Sequence, residues 1–441
     1  MLQSQQTSNI GARLHVGNSG VLLSRFLIAA LIPIVAPIGA FCLPLDFAGI
    51  TLYGFRYLVI LSAIVLAFTS RLYVGERLSK KFLVFGFVWI TYGVITCLWA
   101  PDLMAGIKEI LSIILGVICA LIMIHACQYD YQLDWLRTGW IIGFLFCACI
   151  GFYELLTNQH PFPTSVPSIL GIRVAFCTFG NPNDFGAYLV LSFPILYWSL
   201  LHDRGARKAL ALCSILALPV LLIFTMARLS IAAFVLQLVC LLLLQKNPRV
   251  RLAYSGLFLG VGLVFILGTQ WNDQYVGKFN SIGNELRTKG SARDRLNLYT
   301  NGLWFCYKSF GLGIGAGGYE ILASRGETLN WTKMVNPHSL WIEMLSQYGV
   351  IPVILLVGWL ISILGYLRKR RRGLANAESL LLYDVAIISI VGFVVVTNES
   401  SSAIDHPMIW AFLAVLAALV NKIELTRTFV TAPTVTNHVS S

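Results

Sequence analysis

The 441-residue sequence is 57% hydrophobic and only 12% charged, about half the charged fraction of an ordinary soluble domain. Charged groups cost on the order of several kcal/mol in hydrocarbon, so this composition excludes a soluble fold and indicates lipid as the main solvent. Repeated apolar runs of roughly 20 residues also exclude a lipid-facing β-barrel, whose strands alternate apolar and polar residues. The sequence therefore predicts an all-α, polytopic membrane helix bundle.

Apolar windows predict about twelve transmembrane helices in a domain over residues 26–421, with cytoplasmic tails at 1–25 and 422–441. The first apolar run contains Pro33 and Pro37 and lacks a convincing small-residue cleavage site, so it is predicted to be a retained span. The predicted spans are 26–44, 52–70, 82–99, 106–126, 137–156, 185–201, 209–227, 229–245, 252–269, 339–366, 380–398 and 404–421.

The net charge of +12 reflects membrane topology. With the N-terminus inside, the predicted cytoplasmic segments contain 20 of the 32 basic residues but only 7 of the 20 acidic residues. Short cytoplasmic loops are rich in Lys and Arg, so this asymmetry supports the topology and argues against nucleic-acid binding. The sequence contains no CxxC motif and no Cys/His cluster with metal-ligand spacing, so we expect neither a metal site nor a cofactor.

Two predicted external segments, 157–184 and 270–338, are too long to be simple turns. The second contains Ser291 and Asp294 at the spacing of a capping box, which predicts a helix start. The following helix has an apolar stripe, from which Arg293 and Asn301 are predicted to point away. We expect it to be amphipathic and to lie along the outer membrane interface. The stripe consists of Leu296, Tyr299, Leu303, Cys306 and Phe310.

The candidate functional residues are all predicted to lie on the external side. The candidate catalytic residues are His338, Arg228, Arg293 and Arg295. Arginine has a rigid fork of donors that matches phosphate oxygens, and histidine is suited to general-base chemistry near neutral pH. Together they suit transfer from a phosphate-activated donor to a hydroxyl group. The candidate substrate-binding residues are Arg173, Asn181, Asn183, Asp184 and Glu343.

Structural roles would also account for several of these residues. An exposed arginine can bind a lipid headgroup, and His338 could cap the helix that follows Pro337. Asn183 or Asp184 could cap a helix that begins after the Asn181-Pro182 turn. Arg228 is harder to explain in this way, because apolar runs on both sides leave it close to hydrocarbon, where a charge needs a partner.

The glycine-rich run 311–318 invites interpretation as a nucleotide-binding loop. We reject that interpretation, because no βαβ context surrounds the run and its predicted location faces away from the cytosol. A contact between its backbone amides and a phosphate group stays open.

These motifs together resemble the bacterial O-antigen ligase and O-antigen polymerase superfamily, over roughly residues 170–400. The resemblance begins with Asn181-Pro-Asn-Asp-Phe-Gly186 and the arginine of Met226-Ala-Arg228, although many relatives have a serine in place of Ala227. It continues with the glycine-rich run, then with Asn336-Pro-His-Ser339, Glu343 and Gly349.

The resemblance implies a metal-independent glycosyltransferase of the bacterial inner membrane with its active face outward. The implied donor is an undecaprenyl-pyrophosphate-linked glycan, held by Arg228 and by either Arg293 or Arg295, with His338 as the general base or beside it. The implied acceptor is the next lipid-linked repeat unit for a polymerase, or lipid A core for a ligase. The motifs favour a polymerase. Membrane lipids and a chain-length regulator protein are further candidate partners.

A transporter or lipid-linked-sugar flippase is the main alternative outside enzymology. Transporters place functional polar groups near the bilayer midplane, in broken helices of repeated halves. Here the predicted spans are nearly free of charge and the candidate residues lie at one face beside a large loop. The sequence therefore favours an enzyme.

Overall fold

The fold is described by a computed structural model over residues 19–41, 43–47, 50–69, 72–162, 173–245, 291–332, 334–371 and 377–430, with single positions at 251, 256, 260 and 262. Most of the predicted span 252–269 lies outside the described residues, as do 163–172 in the first long loop and 270–290 in the second. The ends of both predicted tails, 1–18 and 431–441, also lie outside them.

The described residues are mainly helical, as the composition predicts. One small antiparallel hairpin pairs β1 (Leu45–Phe47) with β2 (Ile50–Leu52). The helices are α1 (Ser19–Val35), α2 (Gly54–Thr69), α3 (Arg77–Thr96), α4 (Leu103–Ala126), α5 (Asp130–Thr157), α6 (Pro182–His202), α7 (Gly205–Phe224), α8 (Arg228–Leu244), α9 (Ser291–Lys308), α10 (Gly318–Ser324), α11 (Leu340–Tyr348), α12 (Val350–Arg371), α13 (Ala377–Val396) and α14 (Pro407–Val430). Short 3₁₀ turns lie at Ala36–Phe41, Cys97–Trp99 and Cys177–Phe179.

Within the described part of the chain, eight helices are long and apolar enough to cross a membrane. Three shorter apolar helices occupy Leu27–Gly39, Gly54–Phe68 and Arg228–Leu244. The predicted polytopic all-α architecture is therefore confirmed, while the count of about twelve spans stays a prediction.

Helices α6 and α14 form the centre of the bundle. The most apolar windows of both are 83% buried, against 33–61% for the other six long helices. Helix α6 packs against α5, α7, α8 and α13, and α14 packs against α3, α4 and α13. Close helix contact needs small residues at some points. At Gly116 of α4, a Cβ would overlap the ring of Trp410 on α14.

The predicted single span 339–366 is wrong, because the structure has two helices there. Helix α11 ends at Tyr348, Gly349 adopts φ 72°, and α12 begins at Val350. The apolar pattern runs through this break because hydrophobicity does not report a left-handed backbone residue, which glycine tolerates best. A Cβ at Gly349 would overlap the carbonyl oxygen of Gly311.

The glycine-rich run serves as packing against α11 and the start of α4. The amides of Ile314 and Gly315 donate to the carbonyls of Ser346 and Gln347 at 2.9 and 3.1 Å. Gly317 adopts φ 65° and its Cα lies against the backbone of Ala105, where a Cβ would not fit. These backbone bonds give the run a structural role without any nucleotide.

The helix predicted from Ser291 is confirmed as α9, but it packs on a different face from the predicted stripe. Leu298, Asn301 and Phe305 are buried, and Asn301 exchanges hydrogen bonds with the backbone of Asn330 at 2.8 and 2.9 Å. The predicted stripe residues Leu296 and Leu303 are instead more than half exposed. Asn301 lies away from the predicted stripe, and its buried amide satisfies the backbone of the following loop.

Candidate active site

A short polar segment between α13 and α14 organises the site. We call residues 397–406, with the sequence Thr-Asn-Glu-Ser-Ser-Ser-Ala-Ile-Asp-His, the polar connector. It lies at the end of the bundle where the two central helices, α6 and α14, begin. We call this the connector end. The opposite end carries Arg137, Arg207 and the arginines that close α12, and we call it the basic end.

Asp184, in the first turn of α6, holds the middle of the connector. Its Oδ1 accepts hydrogen bonds from Ser400 Oγ at 2.8 Å and from the Ser401 amide at 2.9 Å. Its Oδ2 accepts from Ser401 Oγ at 2.5 Å and lies 3.5 Å from Nε2 of His406. Asn181 is the helix N-cap, accepting from the Asn183 amide at 2.9 Å, with Pro182 in the first turn. The cap is therefore Asn181, instead of Asn183 or Asp184.

Glu343 on α11 holds the end of the connector. Its two carboxylate oxygens accept from the amides of Ala403 and Ile404, each at 3.2 Å. Asn336 holds the same segment from outside. Its Oδ1 accepts from the Ser402 amide at 3.2 Å, and its Nδ2 donates to Ser402 Oγ at 2.6 Å. Glu343 and Asn336 thus fix one backbone segment, residues 402–404, from two sides.

Glu399 connects the connector to three helices. Its Oε2 accepts from both the amide and the Oγ of Ser230, at 2.8 Å each, in the first turn of α8. Its Oε1 lies 3.6 Å from Nη1 of Arg295 on α9. With its amide oriented to satisfy both neighbours, Asn183 on α6 donates to Glu399 Oε1 at 3.2 Å and accepts from Arg295 Nη2 at 3.1 Å. The carboxylate therefore sets the position of Arg295.

Arg228 opens α8 directly after a tight turn, as predicted. Helix α7 ends at Phe224, Met226 adopts φ 56°, and α8 begins at Arg228. Ala227 is fully buried, and a Cβ at Gly186 of α6 would come within 2.8 Å of the Ala227 Cβ. Arg228 thus lies two residues from the Ser230 that Glu399 binds, at the connector end.

His338 sits in a strained turn beside these groups. It adopts φ 50°, and its amide donates to Oδ1 of Asn336 at 2.8 Å. Ser339, rather than His338, caps α11 by accepting from the Ile342 amide, and it also binds Oδ1 of Asn398 at 3.1 Å. The buried Nδ1 of His338 has no hydrogen-bond partner among the described residues. The capping role is therefore filled without the imidazole.

The pKa shifts of His338 and Glu399 both reflect burial beside the Arg295 guanidinium. Burial, and secondarily the Arg295 guanidinium, lower the pKa of His338, while Asp184 acts in the opposite direction. The imidazole is therefore neutral at neutral pH. Burial raises the pKa of Glu399, and the Arg295 charge and the Ser230 hydrogen bonds oppose that rise. These interactions bring His338, Arg295 and Asp184 within one electrostatic neighbourhood.

The remaining predicted arginines lie at the margin. Arg293 is exposed in the first turn of α9, whereas Arg295, two residues later, faces Glu399. Arg173 is exposed, and its guanidinium donates to the carbonyl of Leu155 at 3.0 Å.

Sequence reasoning missed Glu399, Asp405 and His406 because the connector was treated as a minimal turn between two predicted spans. The available signal was the density of polar residues: eight of the ten positions in 397–406 carry polar or charged side chains. Burial raises the pKa of Asp405, which a hydrogen bond from Ser112 and the charge of Arg56 oppose. A polar run this dense between two apolar helices needs buried partners.

Three potential metal ligands, Asp134, His202 and Asp203, come together at the basic end. The buried Arg137 already donates to Asp134 Oδ1 at 2.5 Å and to Asp203 Oδ1 at 2.7 Å. Arg207 lies 3.7 Å from Asp134 Oδ2 and 3.8 Å from Asp203 Oδ1, so the two carboxylates are paired with two arginines.

Comparison with known proteins gives two matches. A family model described as O-antigen ligase matches residues 209–357. The teichuronic acid biosynthesis protein TuaE of Bacillus subtilis (strain 168) is 24% identical over 364 residues, which cover 79% of this chain and 73% of the relative. The resemblance predicted from the sequence is confirmed. It supports a multi-pass membrane protein of polysaccharide biosynthesis and, because the family comprises polymerases and ligases, an enzymatic role.

Proposed function

We propose that this chain is a metal-independent glycosyltransferase that polymerises lipid-pyrophosphate-linked repeat units of a surface polysaccharide. The observation that carries the proposal is the meeting of Arg295 and His338 at the polar connector, at the same end of the bundle as Arg228. These residues are separated by up to about a hundred positions in sequence. The Arg295 guanidinium beside a neutral imidazole, with a second arginine at the same end of the bundle, suits transfer from a pyrophosphate donor.

The connector end is proposed to face outward from the inner membrane. The opposite end carries the basic clusters of α3, α7 and α12, which the positive-inside rule assigns to the cytoplasm. We keep the proposal of about twelve spans over residues 26–421, with both the N-terminal tail (1–25) and the C-terminal tail (422–441) in the cytoplasm. Helix α9 would lie along the outer interface, with its exposed Leu296 and Leu303 towards lipid.

The proposed reaction is a substitution at the anomeric carbon of the donor sugar. The acceptor hydroxyl oxygen attacks this carbon, the bond from the carbon to the pyrophosphate oxygen breaks, and lipid pyrophosphate leaves with the electron pair. Neutral His338 takes the hydroxyl proton and later releases it to water. Arg228 and Arg295 hold the pyrophosphate as its negative charge grows.

The residues around the connector are proposed to act by positioning. Glu399 fixes the direction of Arg295, and Asn183 bridges the two groups. Asn181, Asp184 and Glu343, which the sequence suggested as substrate-binding residues, would act through the connector that they hold. Exposed Arg173 and Arg293 are proposed to contact phosphate groups of the substrate or of lipid headgroups at the margin of the site.

A ligase is the second candidate, because the matching family model carries that description. Polymerisation is favoured because the relative, of which 73% is matched, is named for the biosynthesis of a polysaccharide, teichuronic acid, and not for ligation. For a polymerase, the acceptor is a second lipid-linked repeat unit, and a chain-length regulator protein is a proposed partner. For a ligase, the acceptor is lipid A core.

The test uses purified full-length protein and lipid-linked repeat units extracted from a host strain that lacks it. A ladder of longer lipid-linked glycans from this single substrate would establish a polymerase. Transfer only after lipid A core is added would establish a ligase. If no product forms with either acceptor, the proposed glycosyltransferase activity is refuted and the flippase hypothesis returns to consideration. Activity that survives EDTA would support metal independence, whereas activity restored only by added Mg²⁺ or Mn²⁺ would contradict it.

A further inference from the structure

A groove between two helices lies towards the basic end of the bundle, and its lining includes no residue of the candidate active site. It is bounded by α3 and α12 and has a volume of about 710 Å³. Its walls are Glu76, Arg77, Lys80, Lys81, Val84, Phe85, Ile354, Leu355, Gly358, Trp359 and Ser362. The proposed reaction uses none of these residues.

The groove has a charged mouth and an apolar floor. Arg77, Lys80 and Lys81 lie in the first two turns of α3, and Lys81 donates to Ser362 Oγ at 3.0 Å. Two carboxylates lie near these three cations: Glu76, and Glu424, whose Oε2 accepts from the Leu78 amide at 2.8 Å. Glu76 accepts a hydrogen bond at 2.9 Å from the hydroxyl of Tyr73, three residues earlier in the chain. The mouth therefore has an excess of positive charge. Cations oppose the dipole at a helix start, so helix stability does not explain this cluster.

The apolar floor extends into the membrane-spanning part of both helices. Val84 and Phe85 lie seven and eight residues after Arg77, which places them about 10 Å along the helix axis. Trp359 forms the back wall, where its indole donates to the Leu78 carbonyl at 3.0 Å. Gly358 leaves the floor open, because a Cβ there would meet no atom within 4 Å.

These features specify an amphiphilic occupant. A free anion would satisfy the mouth but leave the apolar floor empty, and a neutral lipid would leave the cations without a partner. We propose that the groove is a binding site for an anionic phospholipid of the bilayer leaflet at the basic end. The headgroup phosphate would lie against Lys80 and Lys81, and an acyl chain would lie between Phe85 and Gly358.

The test measures lipid binding to the full-length protein in detergent by native mass spectrometry. Phosphatidylglycerol and phosphatidylcholine with identical acyl chains serve as probes. We expect the wild-type protein to retain phosphatidylglycerol on the order of tenfold better. Lys80→Gln with Lys81→Gln should remove most of this preference. Arg204→Gln with Lys208→Gln, which changes two exposed basic residues outside the groove, should leave it unchanged.

A second pair of variants tests the floor without changing charge. Gly358→Leu places a side chain into the groove and should reduce binding of both lipids. Gly365→Leu is the matched control, because Gly365 also has open space at its Cβ and does not line the groove. Unchanged lipid retention in both the Lys and the Gly358 variants would overturn the proposal. Displacement of phosphatidylglycerol by an equimolar isoprenoid phosphate would also overturn it, since the groove would then belong to that carrier lipid.

Discussion

Replacing Glu399 by Gln tests whether the connector positions the arginine. The amide oxygen of Gln can still accept from the amide and hydroxyl of Ser230, so the anchor to α8 is kept. The second oxygen of Glu399, Oε1, becomes an NH₂ group. This group faces Arg295 and Asn183, where the carboxylate oxygen had accepted. The ion pair with Arg295 and the hydrogen bond from Asn183 are lost. The new NH₂ group also faces the NH₂ group of Asn183, and both are donors.

The magnitude follows from what is lost. A hydrogen bond to a charged group contributes about 1.5–3 kcal/mol, and the Glu399 side chain is only 2% exposed, so solvent screens little of it. If misdirection of Arg295 removes about 2–3 kcal/mol of transition-state stabilisation, kcat falls about 30- to 150-fold. We expect a smaller change in KM, because the pyrophosphate charge that Arg295 meets grows during the reaction.

The assay is turnover of the lipid-linked repeat unit by purified protein, with kcat and KM measured separately. Exposed Glu327 supplies the control, and Glu327→Gln should retain wild-type rates. If Glu399 acts through Arg295, the double variant Glu399→Gln with Arg295→Gln should be no slower than Arg295→Gln alone. Additive losses, or a Glu399→Gln protein within twofold of the wild-type kcat, would refute the positioning role.

Other predictions concern the base, the connector and the glycine break. His338→Ala should abolish product while the protein still inserts and folds. Because burial and Arg295 lower the pKa of His338, the acidic limb of the kcat/KM profile should lie below pH 6.5, and Arg295→Gln should move it upward. Asp184→Asn should reduce stability by about 1–3 kcal/mol, measured by thermal unfolding in detergent, because it converts one of the two accepting oxygens into a donor. Gly349→Ala should destabilise more than Gly326→Ala: the φ angles are 72° and 74°, but only at Gly349 would the Cβ overlap backbone. Equal losses would contradict the packing argument.

The sequence contained enough information to predict the bundle and several of its local features. An apolar run of about 20 residues has few solutions in a membrane, so the apolar runs predict where most of the described long helices lie, although not the break at Gly349. The turn before Arg228 was predictable because apolar runs on both sides leave room for only a few residues. The start of α6 was predictable from Asn181 and Pro182, a capping residue followed by a residue that favours the first turn.

The contacts of Glu399 with Ser230, Asn183 and Arg295 were not predictable, because they depend on which helices pack together. Ser230 and Glu399 are 169 positions apart, and their contact requires α8 to lie against α13. Hydropathy reports how deep a residue lies in the membrane, but it does not report which neighbour the residue meets. The sequence could not distinguish Arg293 from Arg295 for the same reason. Side chains two residues apart on a helix point about 200° apart, and only the packed structure shows that Arg295 faces the connector.

Three carboxylates at the connector end, Asp184, Glu343 and Glu399, differ in the groups that hold them. Asp184 accepts from the Ser400 and Ser401 hydroxyls and lies beside His406, whereas Glu343 accepts from backbone amides. Glu399 is the carboxylate that pairs with Arg295, and it also binds the first turn of α8. A buried carboxylate held by several donors costs little to keep, whereas an unpaired one would be expelled or protonated. The connector can therefore orient Arg295 through Glu399, and in the proposed reaction Arg228 on α8 and Arg295 on α9 meet the growing charge of the pyrophosphate from two different helices.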